Sequence, residues 1–283
     1  MSDITVSHGV WRRRMAGRGG VIALLYVGSI IFACFCGPFL LPFGPTSIDL
    51  HHRFLPPLAH GHVLGTDEIG RDLLARVLRG GRVSLVVGVV STVFSSLIGT
   101  VVGIVAGYRP GGTRFLITTI IDTVLCFPVI FLLLTLAAIL HPGLVTIVGI
   151  VTLVSWMEVA RVAQAQTVLI RQMDYVTAVM AMGAPDRQIL FREILPNVAP
   201  AIIVNATLNI ARAILLESYV SYLGYGIQPP GASWGNLLNN AQEYLESDPW
   251  LAVIPGFVIA LTVMMFNILG AALRDAIAPG RRA

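Results

Sequence analysis

The chain has 283 residues, of which 55% belong to the apolar and aromatic set and only 12% are Asp, Glu, Lys or Arg; an ordinary soluble domain is roughly 25% charged, so a single water-soluble globule is excluded. The formal charge of +4 rests on 19 cationic side chains, every one an arginine, and a chain without lysine has neither the Lys of a phosphate-binding G-x-x-x-x-G-K-[ST] loop nor a Schiff-base or Ser-Lys nucleophile. The arginines lie in short clusters between long apolar runs, not on one soluble face, which sets nucleic acid aside as a partner, and Cys34, Cys36 and Cys126 fall inside apolar runs, so no disulfide framework is indicated.

A bilayer core about 30 Å thick takes about 20 helical residues. Six stretches meet that length: Val21 to Leu41, Ser84 to Gly107, Phe115 to Leu140, Leu144 to Val159, Val198 to Leu223 and Leu251 to Leu273. The first follows Arg12, Arg13, Arg14 and Arg18 and reads as a retained anchor, because it outlasts a signal-peptide core and no small-x-small cleavage site follows. Beyond it, Ile69 to Arg79 puts Leu73, Leu74, Val77 and Leu78 on one side of a helix and Arg71, Asp72, Arg76 and Arg79 on the other. That pattern predicts an amphipathic helix lying on the membrane surface, started at Gly65 and capped by Thr66 or Asp67. His51, His52, His60 and His62 crowd into the same loop. Their spacing matches no standard ligand set, so no metal is expected on this chain.

The third span reads as one helix carrying Asp122, and the fourth is short enough that its helix is expected to run on past Arg161. Between the fourth and fifth spans, Arg161 to Pro196 is too long for a turn. Val176, Val179, Met180 and Gly183 recur at i, i+3, i+4, i+7, giving one apolar face. Gly183 suits the left-handed position past a helix end, and Pro185 suits the first turn of the next. The segment therefore reads as helix, sharp turn and second helix Asp186 to Leu195, with a break at Pro196 and a fresh start near Pro200. It is either a helix pair resting on lipid or a rigid knob offered to the groove of an aqueous partner.

Ionisable side chains at membrane depth are candidate functional sites, and Asp122, Arg212 and Glu217 qualify on that ground. Arg212 and Glu217 are about 140° apart round their helix and do not face each other. An ion pair between Arg212 and Asp122, and a pathway-lining role for Arg212, are the two readings. With loops alternating sides, thirteen arginines against five favour both termini in the cytoplasm.

The run Tyr175-Val176-Thr177-Ala178-Val179-Met180-Ala181-Met182-Gly183-Ala184-Pro185-Asp186, continuing to Phe191-Arg192-Glu193-Ile194-Leu195-Pro196-Asn197, resembles the EAA loop of ABC-importer permeases. Ala178, Gly183, Leu195 and Pro196 fall in register, while Thr177 and Val179 depart from the family's Glu and second Ala. Three more segments resemble the C-type subunit of the dipeptide, oligopeptide and nickel branch: His62 to Asp67 with Gly70, Arg71, Asp72 and Arg76, where Val63 stands in place of the family's Pro; Tyr222 to Pro230 with Ser233, Trp234 and Gly235; and Pro255-Gly256 with Phe266 to Gly270 and Leu273 to Asp275.

The resemblance implies an all-α integral membrane protein of six transmembrane helices with the type I ABC importer fold, in the plasma membrane of a bacterium. Residues 1–82 would hold the first span and outer loop, 83–275 the five-helix core, and 276–283 a tail. It implies one half of a heterodimeric channel, paired with a B-type permease, two ATP-binding cassette subunits that hold ATP and Mg, and an extracytoplasmic solute-binding protein. No cofactor is implied on this chain. Tyr175, Ala178, Met180, Gly183, Ala184, Arg187, Leu195 and Pro196 would couple to the ATPases; Gly65, Thr66, Asp67, Gly70, Arg71, Asp72, Trp234 and Gly235 would form the binding-protein side. Peptide is the implied cargo, with a nickel chelate or haem as alternatives.

Overall fold

A computed structural model describes residues 4–277, with side chains described from Gly17 onward. Arg12, Arg13, Arg14, Arg281 and Arg282, which weigh in the orientation argument, lie outside the described side chains. Ten helices run in order among the described residues: α1 Ile4–Leu40, α2 Leu73–Tyr108, α3 Gly112–Leu125, α4 Val129–Ile139, α5 Leu144–Arg171, α6 Asp174–Ala181, α7 Asp186–Gln188, α8 Leu195–Tyr222, α9 Trp234–Ala241 and α10 Trp250–Ile277. Five stretches are long and apolar enough to cross a membrane, and α3 with α4 makes a sixth if the bent pair counts as one span.

Three expectations are corrected. The third span is not one helix: α3 and α4 meet at 82°. Pro128 has no N–H to donate and pushes Phe127 out of helical geometry, so the chain turns and α4 packs Leu133 and Ala137 against Ile147, Val151 and Val154 of α5 and Leu216 and Val220 of α8. The amphipathic surface helix does not exist as a separate element. Asp72, not Thr66 or Asp67, caps the helix by accepting from Ala75 N, and α2 then runs unbroken for 36 residues, about 54 Å. Nor does the chain break at Pro196. A wide π turn, Ile189–Ile194, carries α7 straight into α8, and the Leu195 amide reaches back to Leu190 O. Pro196, the second residue of α8, has no N–H to give, and the widened turn just before it accommodates the missing bond so that the helix continues. The fourth span does run past Arg161, to Arg171.

The central seam joins α2 to α5. Gly99, Gly103 and Gly107 stand four apart, and a Cβ on each would lie 2.4–2.8 Å from the backbone oxygen of Trp156, Ala160 or Gln164. Lipid supplies no hydrophobic drive between helices, so stability comes from such close approach of backbones. Gly80 packs on the backbone of Ser233 in the same way, while Gly81 makes room for the Trp234 ring and Cys34 Sγ, and Gly88 for the Ile214 side chain. Tyr26 of α1 hydrogen-bonds Thr262 of α10 at 3.1 Å.

Candidate functional site

At one end of the bundle the loop between α1 and α2 folds down onto the start of α2. Gly65 and Gly70 both have positive φ, +81° and +78°, and a Cβ on either would run into the backbone oxygen of Leu55 or Asp49; no side chain fits either place. Thr66 Oγ1 donates to His52 O and accepts from Leu55 N. Asp67 is the hub. One carboxylate oxygen accepts from Ile69 N and Arg71 N, and the other from Arg71 Nε at 2.6 Å and from Arg76. Arg71 also reaches Glu68 Oε1 at 2.7 Å, and His62, stacked on Phe43, reaches Asp72 Oδ2 at 2.7 Å.

His62, Thr66, Asp67, Arg71, Asp72 and Arg76 are buried, Arg76 with 1% exposure. The motif expected to face a binding protein thus ties the loop to α2 from beneath, and the exposed surface above it is Ile48, Leu50, Leu58 and Val63. The arginines of this end are accounted for differently than expected: Arg71 and Arg76 by Asp67, Arg53 by Glu68 O at 2.5 Å, and Arg82 by Phe35 O at 2.8 Å. Arg79 is exposed. Of the histidines, His52 bonds Asp49 at 2.7 Å and so holds that carboxyl below its ordinary range, aided by the His51 amide. No cluster suited to a metal is present among the described residues.

Trp234 and Gly235 are also internal. Trp234 donates its indole N–H to Val77 O at 3.0 Å. Gly235 abuts Ser218 O. Glu217, fully buried, accepts from Ser84 and Ser221 at 2.7 Å each. It therefore bolts α2 to α8 and does not line a pathway.

The other membrane-depth charges pair in a way that neither sequence reading gave. Arg212 of α8 pairs with Glu158 of α5, and Asp122 of α3 with Arg161 of α5 at 2.5 Å. Sequence reasoning passed over Glu158, although it falls within the fourth span as read; Glu158 and Arg161, three apart, share a face of α5. Each lone charge facing lipid at mid-span would cost about 2.5 to 3.5 kcal/mol.

The opposite end carries the elbow. After α6 the Gly183 amide bonds Met180 O at 3.0 Å and the Ala184 amide bonds Val179 O at 3.3 Å, the paired bonds of a Schellman ending that needs left-handed backbone. Gly183 has φ +77° with open space where a Cβ would stand. Beneath it Val176 is buried with Ile170, Ile189, Ile194 and Val198. Tyr108, the last residue of α2, donates to Asp186 Oδ1 at 2.7 Å while the Arg171 guanidinium lies 5.6 Å from the centre of its ring. Sequence reasoning missed this anchor, which joins residues 78 positions apart. Of the expected coupling residues, Tyr175, Ala178, Gly183, Arg187 and Pro196 are exposed, and Met180, Ala184 and Leu195 are half-buried. Met182 at 77% and Phe191 at 62% add exposed apolar surface that the sequence did not flag. The elbow is thus a rigid projection with an apolar rim, the shape a partner's groove receives.

The family model for the binding-protein-dependent transport system inner membrane component matches residues 99–283, and that for the N-terminal TM domain of oligopeptide transport permease C matches residues 5–57. The oligopeptide transport system permease protein OppC of Haemophilus influenzae is 35% identical over 272 residues, 96% of this chain and 88% of the relative. The dipeptide transport system permease protein DppC of Bacillus subtilis is 36% identical over 99% of this chain and 88% of its own length. The glutathione transport system permease protein GsiD of Pectobacterium atrosepticum is 36% identical over 95% and 89%. An inward-facing structure of the MetNI methionine ABC transporter superposes with TM-score 0.62 at 19% identity, covering 72% of this chain and 96% of that one, which shows the shared fold.

Proposed function

The chain belongs to the binding-protein-dependent transport inner-membrane component family, in its oligopeptide permease C branch, and from that premise we propose that it carries small peptides inward as one of two permeases in an ATP-driven importer. It is a multi-pass inner-membrane protein that works with other ABC transporter subunits. The composition we propose is a B-type permease completing the pathway, two cassette ATPases with ATP and Mg, and a solute-binding protein on the far side. Both termini and the elbow then lie in the cytoplasm, and the loop knotted by Asp67 faces out.

The elbow carries this reading. Its tip is free while its base is fixed both to the buried cluster around Val176 and, through Tyr108 and Asp186, to the end of α2. A push on Met182 or Tyr175 by closing ATPases is therefore delivered to α2, α5 and α8 together, because no loose joint absorbs it. Relatives named for oligopeptide, dipeptide and glutathione transport support small peptides as cargo. The reading is tested by reconstituting the co-purified complex in vesicles and following labelled trialanine. Uptake is expected only with ATP and the binding protein both present; uptake that persists without ATP would make the chain a secondary transporter.

A further inference from the structure

The outward faces of the helices are not alike. Along α2 the exposed large side chains are Val89, Val93, Phe94, Leu97, Ile98 and Val101, a surface suited to lipid. The face shared by α3, α5 and α8 instead carries Asp122, Arg161, Glu158 and Arg212, with side chains 48, 53, 30 and 52% exposed. Above Arg212 on α8, Tyr219 at i+7 and Tyr222 at i+10 are exposed on one stripe that climbs toward the loop end. Charges that stay half open on one face at membrane depth mark a water-filled path.

We infer that the Arg212 and Glu158 pair is a binding station for a zwitterion, Arg212 taking the carboxylate and Glu158 the ammonium. The station rests on the permease reading above and names what that permease grips. The two groups hold each other when no cargo is present. A lone anion would draw Arg212 away and strand Glu158, and a lone cation would strand Arg212. A molecule with both ends replaces both partners at once, and the rings of Tyr219 and Tyr222 offer faces for an ammonium on the way in. Arg161 and Asp122, on the same face, form the next pair of opposite charges for the cargo to exchange.

The test uses the whole complex in vesicles with its binding protein, ATP and labelled trialanine. R212Q and E158Q are combined in one protein, which removes both charges and strands neither. The expected result is normal assembly with the second permease and uptake lowered at least tenfold, while either single substitution lowers it further. Wild-type uptake by the neutral double variant would make the pair a structural strap and overturn the station. Failure of the folded double variant to assemble would make it a subunit contact and overturn it equally. Should the neutral pair not fold, R212E with E158R rebuilds the bridge with its ends exchanged: uptake is then expected to stay low, and full recovery overturns the proposal. If the wild type carries no peptide, the peptide reading falls, and the station falls with it only if the solute recovered on the binding protein lacks a carboxylate or an ammonium.

Discussion

Replacing Asp67 by Asn removes one negative charge and nearly no volume. Asp67 accepts four hydrogen bonds, two from the Ile69 and Arg71 amides and two from the Arg71 and Arg76 guanidinium groups. An amide keeps one acceptor oxygen and turns its NH2 toward guanidinium donors. Arg71 retains Glu68, but Arg76, 1% exposed, is left as an uncompensated cation. Breaking a buried pair from one side costs about 3–5 kcal/mol, and about 2–4 °C of Tm accompanies each kcal/mol in larger domains, so Asp67→Asn should lower the Tm in nanodiscs by roughly 6–20 °C. Adding Arg76→Met removes the stranded cation and should recover most of that loss, because a buried pair exchanged for apolar packing is nearly neutral. A single variant that melts with the wild type, or a double variant no better than the single, would refute the view that the loop is held by this charge hub.

Gly103→Val brings a Cβ to 2.4 Å from Ala160 O and 2.6 Å from Ala163 Cβ; overpacking of about 1–3 kcal/mol should show as a lower Tm, and an unchanged melt would mean the α2–α5 seam is looser than described. Glu217→Leu leaves the Ser84 and Ser221 hydroxyls without their acceptor at about 1–3 kcal/mol each. Stability should fall first, and a stable variant with altered cargo preference would instead put Glu217 in the pathway. Gly183→Ala has room for its methyl and meets only the left-handed penalty of about 1–2 kcal/mol, so uptake per ATP hydrolysed in vesicles should drop modestly. Gly183→Leu, with a branched side chain at the tip, should uncouple the two, and normal coupling in both would deny the elbow its role.

The spans were legible because 20 apolar residues have few other places to go, and the Gly183 turn because a glycine followed by Ala-Pro after a periodic run leaves little choice of backbone. The bend at Pro128 has a local signal in the proline itself, but hydropathy is continuous through it and masks the break. Gly99, Gly103 and Gly107 stood in plain spacing, yet their partner helix is named by no pattern in α2 itself. The outer motif was read by its location and not by its depth: whether Asp67 faces water or Arg76 depends on where the loop folds back, which no periodicity encodes. For the same reason Arg212 pairs with Glu158 and not with Asp122, because partners across spans are chosen by helix rotation, which the sequence does not state.

The central claim is that ATPases grip this chain at the elbow, and cross-linking reads that contact directly. With Cys36 and Cys126 replaced by Ser and a cysteine placed at Met182, 77% exposed, the complex purified through a tag on this chain is treated with a short bifunctional thiol reagent with and without ATP. The account predicts a product joining this chain to the cassette ATPase, with a yield that changes when ATP closes the ATPase pair, and no such product from a cysteine at Leu58 on the opposite end. An ATPase product from Leu58, or none from Met182 in a complex that hydrolyses ATP, would contradict it.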